Sequence, residues 1–207
     1  MRRFAAACSV LLLAFVAAPD AKAKFLTKWK APDAANLSYR GQKIVGLIIN
    51  DDMDLRMSAE EALARELTAR GVQGVAAYRL IPREEIKDKD RVRGWFERAG
   101  AAGVVVMRLV DLTKETTPSV VVWQSGSYYG SLWDYYPYAW GATFDLSGGR
   151  TNVNVVVETL VFDVAKAKLL WAGTSESTNP DGAQALVKAI VDSAADEMKK
   201  DGLIRKK

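Results

Sequence analysis

The sequence predicts an α/β fold: a single domain built around a mixed sheet of about five to six strands. Two patterns carry this prediction. In the first half, apolar runs of strand length alternate with segments whose apolar residues recur at helical spacing, in the order β-α-β-α-β. In the second half, two apolar runs separated by a short turn predict an antiparallel hairpin, and a last amphipathic segment predicts a C-terminal helix.

The first elements are well marked in the sequence. The run KIVGLIIN, residues 43–50, is continuously apolar and predicts a buried strand. A capping box, Ser58-Ala-Glu-Glu61, predicts the start of the first helix, and Gly71 its end. The run VAAYRLI, residues 75–81, predicts the second strand.

The second helix carries its apolar residues on one face and is expected to end at Gly100. The run GVVVMRLVDL, residues 103–112, predicts the third strand. Because strand–helix–strand crossovers are nearly always right-handed, these first three strands are expected to lie parallel in one sheet.

The second half is expected to be antiparallel. The run SVVVW, residues 119–123, predicts a strand, and residues 152–164 and 169–177 are expected to pair as a hairpin through the turn AKAK. A final helix is predicted from about Asp181 to Gly202. No linker or internal repeat divides residues 43–207, which are therefore expected to form a single domain.

Residues 1–23 have the pattern of a secretory signal peptide. Two arginines precede the apolar run 5–18, and Ala21-Lys22-Ala23 forms a small-x-small cleavage signal. The apolar run is too short to span a bilayer comfortably. We therefore expect cleavage near Ala23, no transmembrane segment after cleavage, and a periplasmic or secreted protein.

The mature chain would begin near Lys24 with a lead, residues 24–42, that is interpreted as a tether or an edge segment. Cys8 is the single cysteine, and it lies inside the apolar run. A lipid-bearing cysteine should follow that run, so a lipoprotein anchor is not expected.

Composition excludes several kinds of chemistry. The chain has no histidine, and removal of residues 1–23 takes away its cysteine and lowers the formal net charge from +4 to +2. Zinc and haem sites and histidine-dependent nucleophilic catalysis are therefore not expected, nor is any cofactor. No basic stripe interleaved with aromatic residues is present, which argues against nucleic-acid binding.

An acidic cluster follows the first predicted strand. Asp51, Asp52 and Asp54 stand just past its carboxyl end, where ligands gather in open α/β sheets. The spacing Asp52-Met-Asp54 resembles the first motif of haloacid-dehalogenase-type phosphatases, which implies a magnesium-dependent hydrolase, but Arg56 stands where that family has threonine. The alternative interpretation is a solvated turn and helix start, with no metal site.

Charged residues also interrupt two of the apolar runs. Arg108 and Asp111 belong to the third predicted strand, and Glu158 to the first strand of the hairpin. They would either line an exposed sheet face or form a buried ion pair, and buried pairs more often serve structure than function.

The segment WQSGSYYGSLWDYYPYAWG, residues 123–141, holds eight aromatic side chains. Because it also carries three glycines and Pro137, we expect a loop or two short strands within an aromatic, Gly-rich loop 123–150. It could fold as a lid on the sheet, expose a platform for a protein or glycan partner, or touch a membrane. The candidate contact residues are Tyr128, Tyr129, Trp133, Tyr135, Tyr136, Tyr138 and Trp140.

The order of exported leader, IVGLIIN, SAEEALARELTARGV, AGVVVMRLV, aromatic segment, VVVETLVFD and KLLWAGTSESTNP resembles uncharacterised exported bacterial proteins and lipoproteins. The strand–helix order is also similar to the N-terminal domain of the Tol translocation protein, the penicillin-binding-protein activator lipoproteins and the curli-secretion lipoproteins. This resemblance implies that the protein is not an enzyme. It also provides no catalytic residues that could be assigned to positions of this chain.

The sequence thus favours a non-enzymatic accessory protein of the cell envelope that binds another envelope component through the aromatic segment. Two alternatives stay open. One is a metal-dependent phosphate-ester hydrolase that uses Asp51, Asp52 and Asp54, and the other is a glycan-binding module. The partner, an envelope protein or a glycan, is not identified by the sequence.

Overall fold

A computed structural model describes residues 23–35, 37–110, 128–141, 154–178 and 180–202. The strands in these ranges are β1 (Lys24–Lys30), β2 (Lys43–Ile49), β3 (Gln73–Ala76), β4 (Ala101–Leu109), β5 (Asn154–Asp163) and β6 (Lys168–Thr178). The α-helices are α1 (Met53–Ala69), α2 (Lys89–Ala99), α3 (Leu132–Gly141) and α4 (Gly182–Lys200). Short 3-10 turns cover Ala77–Arg79, Arg83–Glu85 and Tyr128–Gly130.

The six strands form one mixed sheet in the order β1-β6-β5-β4-β2-β3. Strand β2 pairs in parallel with β3 and β4, and the pairs β4–β5, β5–β6 and β6–β1 are antiparallel. The predicted fold class, the three parallel strands and the hairpin are therefore confirmed.

Helices cover both faces of this sheet. On one face α1 and α4 pack through small and aliphatic side chains such as Leu63 and Ile190. On the other face α2 and α3 pack with the 3-10 turns, and α3 contributes most of the aromatic side chains. Because both faces are covered, successive side chains of β2 and β4 are buried in turn on opposite faces, which explains their continuous apolar runs.

Helix α1 lies unusually close to the parallel strands. A Cβ atom at Gly74 of β3 would stand 2.1 Å from the Ala64 carbonyl oxygen, and one at Gly46 of β2 would stand 2.8 Å from Leu63 Cγ. The two glycines therefore permit the close helix–strand contact on this face.

The start of the first helix is predicted wrongly. Helix α1 begins at Met53, and Asp52 is its N-cap: the side chain of Asp52 accepts hydrogen bonds from the amides of Asp54 and Leu55. The Ser58–Glu61 capping box lies within the helix. The helix ends where predicted, because Gly71 adopts a left-handed conformation with φ of +89°.

The second strand is also shorter than predicted. It pairs with β2 only as far as Ala76, opposite Gly46, and the chain then enters the 3-10 turn Ala77–Arg79. The apolar pattern of residues 75–81 reflects burial in the core. Side chains are buried both in the strand and in the 3-10 turn, so the pattern does not distinguish the two conformations.

The lead segment contains the edge strand β1, which pairs with β6. The predicted signal peptide up to residue 22, the predicted strand 119–123 and the remaining ends of the 123–150 segment lie outside the described residues. In the described part of the chain, no helix is long and apolar enough to cross a bilayer.

The aromatic segment forms a helix instead of the predicted loop or pair of strands. Pro137 lies within α3 and removes the amide that would bond to the Trp133 carbonyl. The helix nevertheless buries six side chains, and this burial outweighs the lost hydrogen bond. Pro137 itself is exposed, so its ring does not disturb the packed side of the helix.

Candidate functional site: a buried carboxylate beneath the aromatic helix

An ion pair is buried beneath α3. Arg108 of β4 and Glu158 of β5 stand opposite each other in the antiparallel register. Their side chains are 1% and 0% exposed, and Arg108 Nε lies 3.3 Å from Glu158 Oε2. Of the two sequence alternatives, the structure therefore has the buried pair, whereas Asp111 lies outside the described residues.

Two tyrosine hydroxyls also bind this carboxylate. Tyr129 donates to Glu158 Oε1 at 2.5 Å, and Tyr135 donates to Oε2 at 2.7 Å. With the guanidinium of Arg108, three donors from three elements converge on one side chain. Such hydrogen bonds satisfy a charge that would otherwise be very costly to bury.

The tyrosines serve as donors over the whole practical pH range. Burial, with the charge of Glu158, raises the pKa of the Tyr129 and Tyr135 hydroxyls far above the ordinary value. Neither hydroxyl loses its proton near neutral pH. The network therefore holds α3 in place and is not suited to proton transfer.

Two further tyrosines form the outer layer of this cluster. The guanidinium carbon of Arg108 lies 5.2 Å from the centre of the Tyr138 ring, a cation–π distance. Tyr138 in turn stacks on Tyr128, with ring centres 3.8 Å apart and planes inclined by 23°. Both rings are only partly buried. The stacked pair Tyr128–Tyr138 is thus supported from below by the buried charges.

The hairpin turn sets the position of α3. The Leu132 amide donates to the carbonyl of Ala167 at 2.9 Å, and Ser131 forms an isolated bridge with Lys168. The Ser131 hydroxyl also accepts from the Trp133 amide at 3.2 Å. At its other side α3 is tied to the chain before α2, because the Tyr136 hydroxyl donates to the Ile86 carbonyl.

Most of the predicted contact residues are part of the core. Tyr129, Trp133, Tyr135, Tyr136 and Trp140 are at most 8% exposed. Tyr128 and Tyr138, the other two of the seven side chains predicted as a partner surface, are only partly buried. Segment 128–141 therefore packs on the sheet as the lid interpretation expects.

The predicted acidic cluster has structural roles. Asp52 caps α1, its amide donates to Asn50 Oδ1 at 2.7 Å, and exposed Asp51 pairs with Lys87 at 2.6 Å. Asp54 is exposed in the first turn of α1. Among the described residues, no group of three or more acidic, cysteine or histidine side chains could hold a metal ion.

Sequence reasoning missed a second buried carboxylate, Glu60 of α1. It is 0% exposed and accepts hydrogen bonds from the amides of Ile48 at 3.2 Å and Tyr78 at 2.7 Å. Arg56, one turn earlier, has its Nε 3.8 Å from Glu60 Oε1. The signal that could have revealed them is helical spacing, which places Arg56 and Glu60 on the same face as Leu63.

Comparison with known proteins finds only distant structural likeness. No protein-family model and no curated protein matches the sequence. A variant of PelC from Paraburkholderia phytofirmans, a dodecamer, is similar at a TM-score of 0.47 and 15% identity, covering 82% of this chain and 95% of PelC. A second PelC dodecamer from that organism has a TM-score of 0.46 at 14% identity, covering 86% and 96% of the two chains.

A lipoprotein from Neisseria meningitidis is similar at a TM-score of 0.39 and 12% identity, covering 78% of this chain and 99% of the lipoprotein. Likeness at this level does not assign a function to the chain. The resemblance to the Tol, penicillin-binding-protein activator and curli-secretion proteins stays a prediction.

Proposed function

We propose that this chain is a non-enzymatic accessory protein of the cell envelope that binds another envelope component through the stacked pair Tyr128–Tyr138. The leader pattern of residues 1–23 supports export. The observation that carries the binding proposal is the stacked pair itself, which is partly exposed and lies on the buried Arg108.

Rigid aromatic side chains suit this role because they bury a large area at small conformational cost. The cost is lower still when the rings are already held in place. Tyr138 is held by α3, by Arg108 and by stacking on Tyr128, so a partner would meet a surface that needs little ordering.

The test is photo-crosslinking in the native envelope. p-Benzoylphenylalanine in place of Tyr138 is expected to crosslink one defined partner. The same group in place of Leu26, an exposed apolar side chain on the edge strand β1, is the matched control and is expected to give none. Equal crosslinking at both positions, or none at Tyr138, would contradict the proposal.

A glycan partner is separated from a protein partner by sedimentation with isolated peptidoglycan sacculi. Binding that Tyr128→Ala and Tyr138→Ala both weaken would identify the partner as glycan. The geometry of the acidic cluster does not support the hydrolase alternative. Asp52 caps a helix, and Asp51 forms an ion pair with Lys87.

A further inference from the structure

Glu60 stands where the parallel pairing of β2 and β3 ends. The last paired residues are Gly46 and Ala76, and the chain then turns away into Ala77–Arg79. Beyond this point the amides of Ile48 and Tyr78 need another acceptor. Each is bonded to one oxygen of the Glu60 carboxylate, so a side chain of α1 replaces the missing strand contacts.

The charged and titratable groups around Glu60 come from α1, from the 3-10 turn Ala77–Arg79 and from α3. On α1, Arg56 is 3% exposed, but its Nε has no hydrogen-bond partner among the described residues and lies 3.8 Å from the Glu60 carboxylate. Glu61 turns towards the Tyr78 hydroxyl and Arg79, both at 2.6 Å.

On α3, burial raises the pKa of the Tyr136 hydroxyl, with a smaller through-space contribution from Glu60, and this hydroxyl donates to the Ile86 carbonyl. Strand β2 contributes the apolar residue Ile48.

The two protonation states of Glu60 cannot make the same contacts. The carboxylate accepts from both amides. Protonation turns one oxygen into a hydroxyl, which donates its own proton and is a weaker acceptor, so the hydrogen bond from the amide that faces this oxygen weakens. Burial raises the pKa of Glu60 to about 7, against the lowering effect of the two amides and Arg56.

We propose that protonation of Glu60 controls how firmly the segment between β3 and α2 is held against α1. Its carboxylate form holds the backbone of both Ile48 and Tyr78, and its protonated form releases one of them. When the Tyr78 amide is the one released, the segment between β3 and α2 is held less firmly, and this segment includes Ile86, whose carbonyl accepts the Tyr136 hydroxyl of α3. Proton uptake at Glu60 therefore reaches the aromatic helix through one backbone connection.

The proposal predicts that local and global stability change in opposite directions as the pH is lowered. The folded state binds the Glu60 proton more tightly than the unfolded chain, so this contribution to global stability is complete below about pH 4.5 and is lost as pH rises through about 7. Local protection of the Tyr78 or Ile48 amide instead falls as pH is lowered through about 7.

Native-state amide exchange of the whole chain, corrected for the intrinsic pH dependence, tests the proposal. Between about pH 8.5 and 5.5, at least one of the two amides is expected to lose about tenfold protection relative to Val105 of β4, the loss of roughly one hydrogen bond. In Glu60→Gln the Tyr78 or Ile48 amide should be poorly protected at both pH values, whereas the control Glu66→Gln, farther along α1 where Glu66 pairs with Arg70, should behave like the wild type.

A second measurement needs no variant: the carbon chemical shift of the Glu60 carboxyl should titrate near pH 7. Titration below about pH 5 would overturn the proposal. So would protection of both amides that is independent of pH, or a pH dependence that persists in Glu60→Gln.

Discussion

The two faces of the sheet are stabilised in different ways. The face under α1 and α4 is packed with alanine, valine, leucine and isoleucine, and glycines bring α1 close to the strands. The face under α2 and α3 holds several tyrosines and tryptophans over the buried pair Arg108–Glu158. Apolar packing is not directional, whereas the hydrogen bonds to Glu158 set the orientation of α3.

The largest effect is expected from Glu158→Ala. It leaves Arg108 buried without this carboxylate and removes the acceptor of Tyr129 and Tyr135, so unfolding should become easier by about 3–5 kcal/mol in urea titrations. Combining Arg108→Met with Glu158→Leu should recover part of that stability, because both charges of this pair are then removed and only the two tyrosine hydroxyls lose their acceptor.

Leu63→Ala on the opposite face is the matched comparison. This variant should also lower the free energy of unfolding by about 2–5 kcal/mol, because the shorter side chain leaves a cavity in the apolar core. A loss below about 1 kcal/mol for Glu158→Ala would show that the two faces do not differ in the way described.

Gly74→Ala tests the close approach of α1. The new Cβ would meet the backbone oxygen of Ala64 at 2.1 Å, which cannot move without shifting the helix. We expect a loss of about 3 kcal/mol, measured by denaturant unfolding. Gly130→Ala is the control, since nothing lies within 4 Å of its added Cβ and no change beyond about 0.5 kcal/mol is expected. Equal effects at both glycines would refute the close-contact explanation.

Tyr135→Phe removes one donor to Glu158 and keeps the ring. A hydrogen bond to a charged, buried acceptor contributes about 2 kcal/mol, so thermal and urea unfolding should both show a loss of this size. Tyr128→Phe changes a ring that is only partly buried and should be nearly neutral. If Tyr135→Phe were neutral too, hydrogen bonding would not orient α3.

Asp52→Ala is expected to have the smallest effect, about 1 kcal/mol, because it removes the N-cap of α1. Asp52→Asn should be close to neutral, since asparagine caps equally well. The same variants test the hydrolase alternative: loss of a magnesium-dependent phosphatase activity in Asp52→Asn, at unchanged stability, would contradict a purely structural role.

Much of the fold is predictable from the sequence because it depends on local patterns. The continuous apolar run of β2 requires burial on both faces, and the glycines at positions 71 and 100 end their helices with left-handed conformations. The hairpin of β5 and β6 follows from two apolar runs joined by four residues. These features need only near neighbours in the chain.

Two of the errors have the same cause, which is that long-range contacts overrode local preferences. Pro137 disfavours a helix, yet α3 forms because the sheet face buries its aromatic side chains. The second strand stops at Ala76, and beyond it the amide of Tyr78 is bound by Glu60, a residue of α1 that is distant in the sequence. The third error is local, because the sequence offers two helix starts, the Ser58–Glu61 pattern and the acidic cluster that contains Asp52, and the structure uses the second.

The sequence by itself determined the α/β class, the parallel first half and the antiparallel hairpin, since hydrophobic periodicity and turn chemistry are local properties. Only the tertiary structure decided that Arg108 and Glu158 face each other, that two tyrosine hydroxyls bind Glu158, and that Tyr128 and Tyr138 are only partly buried. Those contacts join residues far apart in the chain, and strand register and helix docking alone bring them together.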